Sequence, residues 1–228
     1  MSDPVFLITG ASTGIGAATA HRAAEAGHRL VLAARSTDKL EALATELGGG
    51  ARAIAVTCDV TDFAQQEAMV QAALDAFGRI DVVFANAGFG AKRGFLEETP
   101  ELWREMVLTN VLGCAYTIRA TIPALTDSAG HLLLTSSVAG RRALSGSLYS
   151  ATKHAVTAMA EAARQDLNDT GIRVTSIEPG MTDTPFFDDR PKDALEPDDI
   201  ARAVLFAVQQ PPHVDVNEIL IRPVSQPI

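Results

Sequence analysis

A doubly wound α/β domain is the fold this sequence predicts, and three observations predict it. Short apolar runs alternate with longer amphipathic stretches from one end of the 228-residue chain to the other. Most of the short runs are apolar on successive positions, as parallel strands covered on both faces require. The least regular segments, 88–99, 138–148 and 180–197, all follow the carboxyl ends of such runs, where open α/β sheets bind ligands.

The strand-like runs are VFLIT (5–9), RLVLAA (29–34), AIAVT (53–57), DVVFA (81–85), HLLLTS (131–136), RVTSIE (173–178) and EILIR (218–222). Helical patterns lie between them near 15–26, 37–47, 62–77, 101–126, 149–168 and 197–209. Three helix starts carry clear signals: Thr61-Asp62 before FAQQEAMVQAAL, Thr99-Pro100 before ELWREMV, and Pro197-Asp198-Asp199 before IARAVLFAV. Strands alternating with helices imply right-handed crossovers and helices on both faces of a parallel sheet. No repeat, low-complexity tract or linker divides the chain, so residues 1–228 read as one domain.

Hydrophobic residues make up 47% and charged residues 21%, ample material for a core. The net charge of −9 argues against nucleic acid or an anionic membrane as the main partner. No run approaches the ~18 apolar residues of a membrane-spanning helix. Cys58 and Cys114 have no metal-like spacing and read as reduced thiols. The expectation is a soluble, cytoplasmic protein.

Two motifs carry chemistry. The first strand runs into TGASTGIG (9–16), which opens a helix. Gly10 permits the tight turn, and Gly14 and Gly16 let backbone approach a pyrophosphate at a helix N-terminus. The spacing is G-x-x-x-G-x-G rather than G-x-G-x-x-G. Further on, YSATK (149–153) places a tyrosine one helical turn ahead of a lysine, with Cβ atoms ~5–6 Å apart. A phenol beside an ammonium either decorates a surface or exchanges protons.

TGASTGIG, DVTD (59–62), NAG (86–88), TN (109–110), SSVAG (136–140), YSATK and PGMTDT (179–184) occur in that order. Together they resemble the short-chain dehydrogenase/reductase family, and HVDVNEILIRPVSQ near the end is similar to its NADP-dependent 3-hydroxy acid dehydrogenase branch. The resemblance implies a single Rossmann-type domain with a seven-stranded, mainly parallel sheet flanked by helices on both faces. A cofactor half would run to about residue 130, with a catalytic and substrate half over 131–228.

By this resemblance the cofactor contacts are Gly10, Ser12, Thr13, Gly14, Ile15 and Gly16 in the first loop. Asp59 and Val60 stand by the adenine, and Asn86, Ala87 and Gly88 behind its ribose. Pro179, Gly180, Thr182 and Thr184 contact the nicotinamide, and Tyr149 and Lys153 its ribose. An acidic residue after the second strand would bind the ribose of NAD. Here Ala34 holds that position and Arg35 follows, which suits the 2′-phosphate of NADP(H). Asp38 is the alternative, favouring NAD. A second basic residue found in some NADP-specific relatives is replaced by Thr13.

The same resemblance assigns catalysis to Asn110, Ser137, Tyr149 and Lys153, in a reversible hydride transfer between a carbonyl and an alcohol. Tyr149 exchanges the proton, with a pKa lowered from ~10 by Lys153 and an oxidised nicotinamide. Ser137 holds the reacting oxygen. It stands one residue nearer the tyrosine than in many relatives, which leaves Ser136 as the alternative. Asn110 kinks a long helix and supports a proton relay.

Lys92-Arg93 and Arg141-Arg142 in the expected mouth point to small hydroxy acids or semialdehydes, against the alternative of solvated loop charges. Phe186 and Phe187 in FFDDRPKDALEP (186–197) are the apolar candidates to cap a small substrate. The alanine-rich helix from Tyr149, the long helix before it and RPVSQPI at the end imply a homodimer or homotetramer. A competing reading is a non-catalytic NADP(H)-binding redox-sensing regulator, although such proteins usually lose the tyrosine or lysine. An isomerase or epimerase on the same fold is a third.

Overall fold

The computed structural model describes residues 3–187 and 192–226. Seven strands lie in one sheet: β1 (Val5–Thr9), β2 (Arg29–Ala34), β3 (Ala53–Thr57), β4 (Val82–Ala85), β5 (His131–Thr135), β6 (Arg173–Pro179) and β7 (Glu218–Ile221). Their order is β3-β2-β1-β4-β5-β6-β7, and every neighbouring pair is parallel. The order reverses between β1 and β4, which makes the carboxyl ends of these strands the ligand crevice.

Successive side chains of a strand point to opposite faces, and each face has its own core. Val5 and Leu7 join Val31, Val83, Leu132 and Val174 beneath α3 (Phe63–Phe77), α5 (Cys114–Ser128) and α6 (Leu148–Asp166). Phe6 and Ile8 join Leu30, Leu32, Phe84 and Leu133 beneath α1 (Gly14–Glu25), α2 (Thr37–Glu46) and α7 (Pro197–Val208). Arg22 ties α1 to α7 by donating to both carboxylate oxygens of Asp198, at 2.6 and 2.7 Å.

The helix starts act as their residues dictate. Asp62 accepts from the amides of Ala64 and Gln65, and Thr99 accepts from Leu102 with Pro100 at the first helical position. Glu196 and Asp199 form a reciprocal capping box at the start of α7.

One element departs from expectation. The pattern over 101–126 predicts one continuous helix, but α4 (Pro100–Val107) passes into α5 through a π-helical turn, Leu108–Gly113. The carbonyl of Gly113 accepts from Gln66 Nε2 at 2.9 Å and from Thr117 Oγ1 at 3.0 Å, and the first of these ties the turn to α3. A Cβ at Gly113 would also strike Val60. The turn brings Thr109 to the cleft and buries Asn110 behind it.

Candidate active site

A cleft of about 710 Å³ opens along the carboxyl ends of the strands. At one end lies the turn after β1. Gly10 has φ +67°, and an added Cβ there would meet Ala87 Cα at 2.9 Å. Gly14 has φ +56°, and a Cβ on Gly16 would collide with the carbonyl of Gly10. These positions require glycine, and they bring the start of α1 against the strand ends. No side chain caps α1, no acidic residue stands in its first turn, and Ser12, Thr13, Gly14 and Ile15 line the cleft. Uncapped amides beside permissive glycines fit the pyrophosphate of a dinucleotide.

The floor is fastened by Asn86, at the end of β4. Its amide nitrogen donates to the carbonyls of Thr9 and Gly10 at 3.1 and 3.4 Å, and its amide oxygen accepts from Thr135 Oγ1 at 3.1 Å. Thr9 Oγ1 accepts from the backbone of Asn86 and Ala87 at 3.0 and 3.2 Å. Three strand ends are thus joined by side chains where the ladder bonds stop. Thr9 and Thr135, silent in the motifs, are half of this fastening.

At the far wall of the dinucleotide end, Arg35, Ser36, Lys39, Asp59 and Val60 line the cleft, whereas Asp38 does not. Backbone and hydroxyl donation from Thr61 holds the Asp59 carboxyl below its ordinary value, with a smaller contribution from the Arg35 guanidinium. Lys39 was missed by motif reading. Motif spacing carries no signal for it, because Arg35 lies in the bend before α2 and Lys39 in the first turn of that helix.

At the other end, Ser137, Tyr149 and Lys153 come together with Pro179, Gly180, Thr182 and Thr184 along the cleft. Ser137 caps a short 3-10 turn, Val138–Gly140, and lines the cleft with Tyr149. Its hydroxyl also donates to the carbonyl of Pro179 at 3.3 Å. Ser136 turns away, bonding the Lys153 carbonyl and Thr157 Oγ1 at 3.0 and 2.7 Å inside α6. Of the two serines, Ser137 is the one whose hydroxyl bears on the Tyr149 phenol, in the lowering direction. Lys153 is buried, its ammonium donates to the carbonyl of Thr135 at 2.7 Å, and it stands 5.6 Å from the centre of the Tyr149 ring.

The electrostatics run against the expected depression of the phenol. Burial pushes Tyr149 up to about 12, opposed by the Ser137 hydroxyl, and pushes the Lys153 ammonium down to about 8. Removal from water penalises both charged forms before the neighbouring ammonium can help.

Asn110 accepts from the amide of Phe89 at 3.0 Å and donates to its carbonyl at 2.8 Å and to Thr152 Oγ1 at 3.1 Å. Its amide therefore pins the loop after β4 to α6. A Cβ on Gly88 would press on Asn110 Oδ1 at 3.0 Å, which fits that loop to the π-helical turn.

The mouth needs a correction. Arg141 is not among the residues lining the cleft. Its guanidinium forks onto buried Glu178, both bonds at 2.7 Å, and pairs with Glu218 as well. A carboxylate nearly out of water draws the nearest arginine inward. Lys92 and Arg142 do not line the cleft either, which leaves Arg93 at that rim. Phe186 packs edge-on against Tyr149, ring centres 5.3 Å apart, and against Phe187 at 4.9 Å. Within the expected cap, 186–197, residues 188–191 lie outside the described residues.

Comparison with known proteins agrees with this layout. A model of the short chain dehydrogenase family matches residues 4–195. The chain belongs to that family. An uncharacterised oxidoreductase of Staphylococcus saprophyticus is 38% identical over 231 residues, covering 98% of this chain and 99% of the relative. An alcohol dehydrogenase of the archaeon Thermococcus sibiricus, solved with 5-hydroxy-NADP, superposes with a TM-score of 0.93 at 34% identity. That alignment covers 100% of this chain and 99% of the archaeal one. Serine dehydrogenase of Escherichia coli gives 0.89 at 31% identity, covering 98% of this chain and 100% of its own. This short-chain dehydrogenase is therefore an oxidoreductase of Rossmann-type fold.

Proposed function

We propose that this short-chain dehydrogenase is an NADP(H)-dependent enzyme interconverting an aldehyde or ketone with an alcohol. One observation carries the reading: Ser137, Tyr149 and Lys153 line one end of a cleft whose other end offers the uncapped α1 amides with Arg35 and Lys39. When bound, the nicotinamide supplies or accepts the hydride and, oxidised, adds a positive charge. Ser12, the glycine turn and the start of α1 would hold its phosphates. The same cations, with Asp38 outside the cleft, favour a 2′-phosphate over a bare ribose.

A phenol pushed up to about 12 stands protonated through the neutral range, so Tyr149 is set to protonate a carbonyl oxygen during reduction. Ser137 donates to the same oxygen, where negative charge develops. Lys153 holds its ammonium next to the phenol and the ribose position. For oxidation, Tyr149 as the phenolate, with the Lys153 ammonium beside it, would take the hydroxyl proton. Asn110 positions this set by fixing Phe89 to α6. Small hydroxy acids or semialdehydes suit the Arg93 rim.

The reading extends to a cytoplasmic homo-oligomer. It is supported by two buried, unpaired cysteines and by exposed Val107 and Leu112 on the π-turn rod and Phe206, Leu220 and Val224 near the sheet edge. The test follows NADPH and NADH absorbance with a panel of aldehydes, ketones and semialdehydes, beside Tyr149→Phe. NADPH turnover lost in that variant is the expected result. NADPH binding without turnover of any compound on the panel would favour the redox-sensing alternative.

A further inference from the structure

The C-terminal segment after β7 returns to the cleft, and Gln226 lines it. Its backbone amide closes a turn onto the Pro223 carbonyl at 3.0 Å. Its side-chain oxygen accepts from the backbone amide of Met181 at 2.8 Å. A Cβ on Gly180 would collide with that oxygen, so the glycine after Pro179 leaves room for the tail's amide. Gly180 is itself fixed to β7 by donation to the Ile221 carbonyl at 2.6 Å. The amide group of Gln226 is thus held, oxygen inward, beside the residue whose carbonyl accepts from Ser137.

The two threonine hydroxyls next to it on the wall are already committed. Thr182 Oγ1 donates to the Gly180 carbonyl at 3.1 Å, and Thr184 Oγ1 donates to the Thr182 carbonyl at 3.5 Å. Val138, Leu144, Met181 and Phe186 have nothing to donate. The Gln226 amide NH2 group has two hydrogens and no protein acceptor among the described residues. A donor pair left over in a pocket wall is what discriminates a ligand that offers an oxygen from one that does not.

We propose that Gln226 determines specificity: its NH2 group donates to a second oxygen on the substrate, beside the carbonyl that Tyr149 and Ser137 hold. The substrate class is then a carbonyl compound bearing a neighbouring oxygen function, such as a dicarbonyl or an oxo ester, charged or not. This rests on the oxidoreductase reading above. It is separate from the Arg93 rim, because an amide donor needs no negative charge.

Two uncharged probes of similar size make the test: 2,3-butanedione, with the second oxygen, and 2-butanone, without it. Reduction by NADPH is measured for the wild type, Gln226→Glu and Gln226→Leu. Gln226→Glu keeps an oxygen for the Met181 amide but loses both donors, so a loss there is not a loss of the tail's anchor. The wild type is expected to favour the dione in kcat/KM, and both variants to lose about tenfold of that preference, as one hydrogen bond implies. NADPH affinity, read by fluorescence titration, should stay within about twofold of wild type in Gln226→Glu. Turnover of both probes with an unchanged ratio would overturn the Gln226 assignment alone. Failure of the wild type to reduce the dione while binding NADPH and reducing other carbonyls of the panel would overturn the proposed substrate class, whereas no turnover of any carbonyl on the panel would count against the reductase reading itself.

Discussion

His131, at the start of β5, makes acid stability a sharp test of the buried polar architecture. It is 1% exposed, and its Nε2 lies 2.7 Å from Thr175 Oγ1. Thr175 uses its own hydrogen on the Val216 carbonyl at 2.6 Å, so Nε2 carries the proton and donates. Nδ1 is then the site of any second proton, and it is buried without a partner. Burial, with the Arg173 guanidinium adding to it, pushes the imidazole from its ordinary 6.5 down to about 3. The sign follows directly. As pH falls below 6.5 the unfolded chain takes up a proton that the folded chain refuses, so stability is lost toward pH 3.

At pH 5 that loss is about 2 kcal/mol, set mainly by the unfolded value provided the folded one lies below ~4. The perturbation is His131→Gln, which keeps a nitrogen donor for Thr175 and does not titrate. Urea unfolding of both proteins at pH 7 and pH 5 gives four free energies. The wild type should lose about 2 kcal/mol more than the variant between the two. His28, also buried and lowered, is present in both and cancels. Equal losses in the two proteins would refute the argument that His131 resists protonation in the fold.

Replacing Arg35 or Lys39 with serine should weaken NADPH binding about tenfold each, through loss of a charge-assisted contact, and leave NADH nearly unchanged. Calorimetric titration with both nucleotides measures this, and equal weakening of the two would remove the 2′-phosphate role. Arg141→Ala should cost about 2–3 kcal/mol in urea unfolding, less than a fully buried pair because Arg141 is partly exposed. Adding Glu178→Gln should recover much of that loss, since the stranded carboxylate is its main source.

Much of this was legible in the sequence because the local and tertiary demands coincide. Strand limits came within a residue because strands covered on both faces must be apolar throughout, and the turns after β1, β5 and β6 carry glycine or hydroxyl residues that little else can replace. The π-helical turn was not legible. Leu108–Gly113 has the same apolar spacing as an α-helix, and its geometry depends on Gln66, which lies on α3. Arg141 misled for a similar reason. Its partner Glu178 sits in the mixed strand run RVTSIEP, where sequence shows a strand residue and not that its carboxylate is buried and draws the arginine inward. Gln226 stands in the C-terminal motif HVDVNEILIRPVSQ, but nothing there points to the cleft, because its place depends on how the tail folds back over Gly180.

The fastening of the crevice floor divides the molecule by how freely it can change. Asn86 spends both sides of its amide on Thr9, Gly10 and Thr135, and Thr9 spends its hydroxyl on β4, leaving the floor few groups with which to recognise a new ligand. Selectivity must therefore be written in the rim: the loop at Arg93, the turn after Ser137, Phe186 and the returning tail. Those segments can be exchanged one at a time while the floor keeps the strands registered and the cleft open. A family built on this floor can diversify its substrates by loop replacement, whereas a single change at Asn86 is felt by three strands at once.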